Sequence, residues 1–439
     1  MAFNRHLWRA AYVCLSFFLL PLAFLRLFFR ARKNPAYLEH LGERLGFVPQ
    51  SAKPVIWVHA VSVGETHAAA PLVRRLLARF PGCAFLFTHG TPTGREAGKK
   101  LFEDRILQAY LPFDVPFLTR LFFRRARPVL GIFMETEIWP NLVAEAKRRG
   151  IPLVLANARL SAASAKGYRK VYPLAEECFS SFFLILAQSR EDARRLSFFS
   201  RSEIIVTGNL KFDRNPSLGD MALGRLFRDR FGKRLVVAAI STRQKEEALI
   251  LDVMSKVNMA GVLWVIVPRH PERFGEVEDL LRAREVTFAK RSEEKEVSPE
   301  ARVFLGDSMG EVLSYVFAAD VVVVGGSLLP YGGQNPLEPM SLGKPVLFGP
   351  HMEHFAAIAR AAKKSGAAEE AGDALALARA VDALLACPEM RRARGESAKA
   401  FFLAHAGASE KAEAALVRRL GQAVPPLRQD GFPSLGKTG

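Results

Sequence analysis

The amino-acid sequence predicts an α/β protein in which two doubly wound domains follow an N-terminal membrane-anchor helix. Short apolar runs that end in glycine or polar turns alternate with segments of helical character. The runs are continuously apolar, as expected when helices cover both faces of a parallel sheet. Turn residues and a short basic segment interrupt the series between residues 209 and 233, which places a domain boundary near residue 215.

The anchor is predicted from residues 7–33, which are apolar and carry no charge from Ala10 to Leu25. This stretch is slightly short for a bilayer span, although snorkelling arginines can extend it. No small-x-small cleavage site is present, and a basic cluster follows the apolar stretch, so a cleaved signal peptide is disfavoured. The cluster leaves the rest of the chain in the cytoplasm. Whether the anchor spans the bilayer or lies in one leaflet stays open. The cluster consists of Arg26, Arg30, Arg32 and Lys33.

The predicted strands fall into two sets, because one parallel sheet rarely holds so many. The first set is 55–61, 83–89, 129–135, 152–158, 182–188 and 204–208. The second set is 235–240, 262–268, 302–306, 321–326 and 345–349. Two such domains are expected to face each other across a cleft, with ligands at the carboxyl ends of both sheets. The predicted segments are the anchor (1–33), a first Rossmann-like domain (34–215), a second Rossmann-like domain (216–423) with a helical end (389–422), and a disordered tail (424–439).

Composition limits the classes of partner and chemistry. The 439-residue chain has a net charge of +18, which favours an anionic partner such as phospholipid, nucleic acid or a phosphorylated substrate. Its arginine-rich stretches lack the interleaved aromatic residues of a single-strand binder, so no nucleic-acid partner is predicted. Four cysteines are scattered singly, and no CxxC, P-loop, GxGxxG or HExxH pattern appears. Disulfide frameworks, NTP hydrolysis, dinucleotide binding and metal catalysis are therefore not supported.

Polar residues collect after the strands of the first domain, and one of them raises a question. A strand, a glycine and a helix usually hold a phosphate, yet HAVSVGE (59–65) places Glu65 there. A carboxylate repels a phosphate but suits a hydroxyl that must lose its proton. We expect Gly64 to let the chain turn sharply and the helix N-terminus to keep the pKa of Glu65 low. His59 and His89 are more simply interpreted as structural histidines.

The second domain has its richest polar cluster at residues 325–355. Its glycines allow close backbone approach to a ligand, and its free amide groups can hold a phosphate. Asn335 can cap the helix that Pro336 begins, and Glu338 in the first turn can accept hydrogen bonds from a ribose. A simpler alternative is that the glycines serve only a tight turn and Glu338 only the helix dipole.

Ten ordered motifs between about residues 50 and 355 together resemble the Kdo transferases (3-deoxy-D-manno-oct-2-ulosonic acid transferases, glycosyltransferase family 30) of lipopolysaccharide synthesis. They are HAVSVGE, THGTPTG, METEIWPNL, NARLS, GNLKFD, STR with EE, PRHPERF, GDSMGE, GGSLLPYGGQNPLEP and FGPHMEHF. The resemblance implies a GT-B fold and an inverting, metal-independent transfer of Kdo from CMP-Kdo to lipid IVA or another lipid A precursor. It also implies attachment to anionic lipids at the cytoplasmic face of the inner membrane.

The resemblance assigns roles residue by residue. Glu65 takes the position of the catalytic base, which an inverting transferase needs in order to deprotonate the acceptor hydroxyl. Glu137 matches a second carboxylate implicated in activity, and Glu135 is its neighbour. Gln334 stands where many relatives have histidine. Six residues match nucleotide-holding positions: Arg269, Met309, Gly310, Ser327, Asn335 and Glu338. Three fall in motifs on the acceptor side: Ser62, Gly64 and Arg159.

Two other functions are compatible with parts of the sequence. A GT-B glycosyltransferase could use a UDP-sugar and a different lipid acceptor, because the EP…GKPV arrangement (338–346) is common to many such enzymes. A non-enzymatic protein that binds nucleic acid or anionic lipid would rest on the net charge alone. Transfer assays that compare CMP-Kdo with UDP-sugars distinguish the first alternative, and salt-sensitive DNA binding without transfer would favour the second.

Overall fold

The computed structural model describes residues 2–32, 34–213, 216–293 and 296–423. Their contacts define two compact units, which we call unit 1 and unit 2. Unit 1 comprises Met1–Asp213 and Ala406–Gly439, and unit 2 comprises Arg214–His405. The predicted tail and Lys33 lie outside the described residues.

Unit 1 contains a parallel sheet that has seven strands among the described residues, in the order β3-β2-β1-β4-β5-β6-β7. The direction of strand progression reverses between β1 and β4, so the carboxyl ends of these two strands form the topological switch point where ligands bind in such sheets. The strands are β1 (Val55–His59), β2 (Ala84–His89), β3 (Leu107–Tyr110), β4 (Pro128–Met134), β5 (Leu153–Ala158), β6 (Leu184–Ala187) and β7 (Glu203–Val206).

The helices of unit 1 cover both faces of this sheet. Ile56 and Val58 of β1 enter one buried cluster, and Trp57 between them enters the other, as the alternation of side chains along a strand requires. The helices before the domain boundary are α1 (Ala2–Ala31), α2 (Leu41–Arg44), α3 (Val63–Arg79), α4 (Pro92–Phe102), α5 (Pro116–Ala126), α6 (Pro140–Arg148), α7 (Ala162–Lys170), α8 (Tyr172–Phe179) and α9 (Arg190–Leu196).

Unit 2 repeats the architecture with a second parallel sheet, seven-stranded over the residues described, in the order β10-β11-β9-β8-β12-β13-β14. Here the switch point lies between β8 and β12. The strands are β8 (Val236–Thr242), β9 (Leu263–Pro268), β10 (Phe288–Lys290), β11 (Val303–Leu305), β12 (Val321–Val324), β13 (Val346–Phe348) and β14 (Glu369–Glu370). The helices are α10 (Leu218–Phe231), α11 (Glu246–Lys256), α12 (Phe274–Ala283), α13 (Val312–Ala318), α14 (Leu337–Ser341), α15 (Ala356–Lys364), α16 (Ala374–Ala386) and α17 (Pro388–His405).

Three strands were not predicted from the sequence, and all three lie at sheet edges. They are β3, β10 and β14, which have only four, three and two residues. Their side chains are partly exposed, whereas the inner strands are almost fully buried. Because edge strands are short and only partly covered, they lack the apolar run that identifies a buried strand.

The carboxyl-terminal helix differs from the prediction. The expected second domain runs to residue 423, whereas unit 2 ends at His405 and helix α18 (Ala408–Ala423) belongs to unit 1. The helical backbone is interrupted between α17 and α18 at Gly407, which has a φ of +87°. Asp213 then accepts hydrogen bonds from the first amides of α18, at 2.6 Å from Gly407 and 3.2 Å from Ala408. The GNLKFD motif therefore fixes α18 to the first unit.

Helix α18 also completes the core of unit 1, because its residue Leu416 is fully buried in one of the apolar clusters of that unit. We expect Leu416→Ala to lower the free energy of unfolding by about 2–5 kcal/mol, since it deletes buried methyl groups and leaves a cavity. Chemical denaturation in detergent measures the change. Leu403→Ala is the matched control, because Leu403 is a helical leucine that is 58% exposed. Equal effects of the two substitutions would contradict the packing of α18 on unit 1.

Candidate active site

The loop after β1 positions Glu65 at the start of α3. Ser62 is the N-cap of α3, and its hydroxyl accepts a hydrogen bond from the Glu65 amide at 3.3 Å. Gly64 lies within the first helical turn, is exposed and does not have a positive φ, so the expectation that it provides a sharp turn is wrong. The turn instead follows from the extended backbone of Ser62.

The Glu65 carboxylate is half-buried and folds back over this loop. It accepts hydrogen bonds from the Val61 amide at 2.8 Å and from the Ser62 hydroxyl at 3.1 Å. The spacing S-x-x-E over residues 62–65 is that of a capping box, a signal that sequence reasoning missed. The carboxylate is thus held in one place at the carboxyl end of β1.

The surroundings of Glu65 raise its pKa to about 7, mainly through burial, and the charges of Glu135 and Glu137 add to the effect. The expectation of a pKa kept low by the helix N-terminus is therefore wrong, because the desolvation of the carboxylate outweighs the two hydrogen bonds that it accepts. A carboxylate with this pKa is a stronger base than an ordinary glutamate, and about half of it is ionised at neutral pH.

The loop after β4 brings two more carboxylates to the same switch point. Glu135 has a φ of +58° and forms an ion pair with Lys211 at 3.1 Å. Burial raises the pKa of Glu137 above the ordinary value of an exposed glutamate. The Thr136 hydroxyl donates a hydrogen bond to the Arg159 carbonyl oxygen, which ties this loop to the loop after β5. Arg159 itself is exposed.

The two histidines of the neighbouring strands are structural. His59 and His89 end β1 and β2 and are fully buried. Burial lowers the pKa of His59 to about 4 and that of His89 to about 3. Both imidazoles are therefore neutral at physiological pH, and neither is accessible to an acceptor substrate.

In unit 2, a buried carboxylate occupies the amides that the sequence assigns to a phosphate. Glu246 is fully buried at the start of α11, after β8. Its Oε2 accepts hydrogen bonds from the amides of Gly326 and Arg243, at 2.6 and 2.8 Å. Its Oε1 accepts one from Leu328 at 2.9 Å and a longer one from Leu329 at 3.4 Å. These four amides are not free in this conformation, and phosphate binding near the glycine-rich turn stays a prediction.

The glycine-rich turn packs too closely for side chains. A Cβ on Gly325 would lie 2.7 Å from the Ser241 carbonyl oxygen, and Gly326 has a φ of +66°. Ser327 is fully buried; its hydroxyl donates to the Val324 carbonyl at 2.5 Å and accepts from the Gly349 amide at 2.8 Å. Ser327 therefore joins the ends of two strands, and its hydroxyl does not reach a ligand in this conformation.

Other predicted nucleotide residues remain accessible near the carboxyl ends of this sheet. Asn335 accepts a hydrogen bond from the Leu337 amide at 3.1 Å, and Glu338 is half-buried in the first turn of α14. The residue that precedes this helix directly is Pro336, so Asn335 caps it from one position earlier. After β11, Met309 is 47% exposed and Gly310 has a φ of +86°.

Cationic side chains border the same region. Arg269 follows β9 and is half-buried, and its amide donates to the Thr242 carbonyl at 3.0 Å. Arg243, which sequence reasoning passed over, contacts His270 and lies 5.0 Å from the centre of the Tyr331 ring. Arginines of this kind suit a phosphate or carboxylate ligand. Among the described residues, no group of three or more metal-ligating side chains is arranged around an ion site.

Each unit therefore has one chemically distinct site. Unit 1 holds a cluster of carboxylates at its switch point, which can accept a proton. Unit 2 holds an ordered glycine-rich turn beside accessible arginines and a helix N-terminus, which can bind an anionic group. The predicted residues Ser62, Gly64, Glu65 and Glu137 lie together in unit 1, with Arg159 on the adjoining loop.

A comparison with solved structures identifies the architecture. UDP-GlcNAc 2-epimerase from Neisseria meningitidis, bound to UDP-GlcNAc, superposes with a TM-score of 0.57 over 83% of this chain and 100% of that chain. At 16% identity the likeness shows the fold alone. Together with the two parallel sheets, it confirms the predicted α/β fold of GT-B type.

Sequence comparisons identify the family. The family model described as 3-deoxy-D-manno-octulosonic-acid transferase (kdotransferase) matches residues 39–214, and the model of group 1 glycosyl transferases matches residues 250–401. A 3-deoxy-D-manno-octulosonic acid transferase from Bordetella pertussis is 39% identical over 92% of this chain and 97% of its own length. One from Haemophilus influenzae is 37% identical over 92% and 97%. The resemblance is confirmed: the chain belongs to the 3-deoxy-D-manno-octulosonic acid (Kdo) transferase family.

Proposed function

We propose that this Kdo transferase moves Kdo from CMP-Kdo to lipid IVA or a related lipid A precursor, with inversion at the anomeric carbon. The single observation that carries the mechanism is the half-buried Glu65 carboxylate, whose pKa is raised to about 7 beside two other carboxylates. Family membership supports the donor and the acceptor.

In the proposed reaction, Glu65 removes the proton from an acceptor hydroxyl while the hydroxyl oxygen attacks the anomeric carbon of Kdo. The new glycosidic C–O bond forms as the bond between that carbon and the CMP phosphate oxygen breaks. CMP leaves with the electron pair, and the proton stays on Glu65. One displacement of this kind inverts the anomeric centre.

The charge of the protein suits these substrates. CMP-Kdo carries a phosphate and a carboxylate, the acceptor carries phosphates, and the chain has a net charge of +18. We propose that Arg269, Met309 and Gly310 contact the nucleotide and that Glu338 binds its ribose, while Asn335 shapes the helix start. The apolar helix His6–Ala31 is long enough to attach the enzyme to a membrane, which we propose is the cytoplasmic face of the inner membrane.

One assay tests the proposal: the purified protein is incubated with CMP-Kdo and lipid IVA, and the products are resolved by mass. We expect a mass increase of one or more Kdo residues, unchanged by EDTA. Parallel reactions contain UDP-sugars as donors. Transfer from a UDP-sugar but not from CMP-Kdo would overturn the proposed donor and favour the alternative glycosyltransferase.

The carboxylate cluster predicts a pH effect. A general base works in its ionised form, so kcat/KM should fall as the pH decreases through about 7. Removing the charge of Glu137 stabilises ionised Glu65 and lowers its pKa. We therefore expect Glu137→Gln to move this acid limb to lower pH, whatever its effect on the maximal rate. Glu191→Gln, at a side chain that is 82% exposed, should leave the limb in place. An unmoved limb in Glu137→Gln would contradict the coupling.

The donor site predicts a binding effect. We expect Glu338→Ala to weaken CMP binding about tenfold or more, because a charge-assisted hydrogen bond to the ribose contributes about 1.5–3 kcal/mol. Isothermal titration with CMP measures the affinity. Glu272→Ala serves as the control, since this side chain is 73% exposed in the loop after β9. An unchanged CMP affinity in Glu338→Ala would exclude the ribose contact.

A further inference from the structure

Helix α1 presents a continuous stripe of side chains to the rest of unit 1 along almost the whole length of the helix. The covered or half-covered positions recur every three or four residues, which is the spacing of one helical face. They are Trp8, Arg9, Tyr12, Val13, Ser16, Leu20, Ala23, Phe24, Leu27 and Ala31. The stripe spans about 34 Å at 1.5 Å per residue, so the helix lies along the unit instead of leaving it.

Specific polar contacts fix the first half of this stripe. Arg9 forms an ion pair with Glu177 of α8 at 2.6 Å. The Tyr12 hydroxyl donates a hydrogen bond to Asp114 at 2.8 Å. Asp114 is only 7% exposed, and the same carboxylate accepts the Asn141 and Leu142 amides at the start of α6. The contact therefore joins α1 to a network inside unit 1.

Aromatic contacts fix the second half. The Phe17 ring, which lies beside the stripe and is 47% exposed, stacks on Phe117 of α5 with centroids 6.0 Å apart. Phe24, within the stripe, packs against Phe113 at 5.1 Å. Near the end of the helix, Leu27 is 7% exposed. Contacts thus extend over both halves of the apolar segment that is long enough to cross a bilayer.

The opposite face of α1 is apolar and exposed. Its large side chains are between 47% and 78% exposed, and they are Leu7, Leu15, Phe18, Leu19, Leu22, Leu25, Phe28 and Phe29. We call these eight residues the lipid face. Exposed Arg26, Arg30 and Arg32 follow at the carboxyl end of the helix.

A basic groove runs beside the amino-terminal half of the same helix. It has a volume of about 590 Å³ and lies between α1, α5 and α6. Val13 and Phe17 line one side. The other side includes Arg120 and Lys147, together with Arg148, which forms an ion pair with Glu145 at 2.6 Å. Apolar surface flanked by cations is complementary to a leaflet that contains anionic phospholipid, because acyl chains cover the former and phosphates pair with the latter.

We propose that α1 lies in the plane of a single leaflet of an anionic bilayer, docked on unit 1, and does not cross the membrane. A crossing helix would have to leave the unit over most of its length. That movement would remove the Tyr12 hydroxyl from Asp114 and the Arg9 guanidinium from Glu177, and it would separate the aromatic rings of α1 from those of α5 and its preceding loop. In the docked geometry the lipid face enters the leaflet while these contacts persist. This inference rests on the proposed membrane location and is independent of the donor and acceptor.

Sidedness labelling tests the proposal on the full chain in bacterial spheroplasts. Cys14 and Cys387 are replaced by serine, which leaves the buried Cys83 and Cys178. One new cysteine is introduced as His6→Cys, and in a separate chain as Lys233→Cys, both at exposed positions. We expect a membrane-impermeant maleimide to label neither chain in intact spheroplasts and both chains in inverted vesicles. Labelling of His6→Cys alone in intact spheroplasts would place the two positions on opposite sides and overturn the proposal.

A cross-link tests the docking itself. Phe17→Cys with Phe117→Cys, in the same cysteine-replaced chain, should react efficiently with a short bis-maleimide in native membranes, because the two rings stack. Phe18→Cys with Phe117→Cys is the control, since Phe18 is on the lipid face and 78% exposed. Equal or absent cross-linking in both chains would overturn the docked helix. Kdo transfer is assayed separately, so its absence would contradict the proposed reaction and leave the sidedness result valid.

Discussion

Glu65→Gln is expected to lower kcat for Kdo transfer by about 10²–10⁴-fold, the usual contribution of a general base. The substituted amide cannot take the proton from the acceptor hydroxyl. The proposed donor site consists of unit 2 residues, so we expect the affinity for CMP to stay unchanged. Mass-resolved initial rates with CMP-Kdo and lipid IVA measure the loss, and titration with CMP measures the binding.

This substitution separates catalysis from a structural role that the geometry also gives to Glu65. The carboxylate accepts the Val61 amide and the Ser62 hydroxyl, so a substitution to alanine would weaken the start of α3 as well as remove the base. Glutamine keeps an acceptor oxygen, and it occurs naturally at this position of capping boxes. We therefore expect the free energy of unfolding of Glu65→Gln to change by less than about 1 kcal/mol.

Ser62→Ala provides the complementary control. It removes the N-cap of α3 and should destabilise the fold by about 1 kcal/mol, yet it leaves the base in place. Its transfer rate should therefore fall far less than that of Glu65→Gln. An active Glu65→Gln enzyme would remove the base assignment, and an equally inactive Ser62→Ala enzyme would show that loop geometry, not proton transfer, limits the rate.

The inner strands of both sheets could be predicted because each is a continuous apolar run between turns. The edge strands β3, β10 and β14 could not, since their few residues are partly exposed and leave no such run. Helix α18 was placed in the wrong unit for a related reason. Its apolar stripe shows that it packs on something, but the partner is fixed by Asp213, almost two hundred residues earlier in the chain.

For the site residues too, some properties could be predicted from the sequence and others depend on contacts between distant parts of the chain. The position of Glu65 after β1 follows from the sequence, but its raised pKa depends on burial and on carboxylates about 70 residues away along the chain. The motif that contains Ser327 is visible in the sequence. The inward direction of the Ser327 hydroxyl, however, follows from a hydrogen bond that it accepts from the amide of Gly349, in the loop after β13. Local patterns thus locate the loops, and contacts between loops decide what each side chain does.

Glu246 shows how far such a contact can change an interpretation. As a sequence, the glycine-rich turn after β12 has the composition of a phosphate site. In the structure, the Glu246 carboxylate supplies the anion and satisfies amides of Gly326, Leu328 and Leu329. Burial raises the pKa of Glu246, and these hydrogen bonds oppose that rise. The carboxylate thus shapes the turn that leads to Asn335 and Glu338.

Glu246→Gln should therefore both destabilise unit 2 and weaken CMP binding. Its amide nitrogen would face backbone N–H groups that now donate to a carboxylate oxygen, and each unsatisfied buried donor costs about 1–3 kcal/mol. We expect the free energy of unfolding to fall by about 2–6 kcal/mol and the CMP affinity to fall at least about tenfold, as measured by denaturation and calorimetry.

The neighbouring Glu247→Gln is a matched control for this effect, because Glu247 is also buried but pairs with Arg273 at 2.6 Å and not with the glycine-rich turn. Both substitutions should lower stability, since each disrupts a buried carboxylate. Only Glu246→Gln should weaken CMP binding under conditions where both proteins are folded. If the two variants lose CMP affinity equally, general destabilisation of unit 2 explains the loss, and Glu246 does not position the donor site.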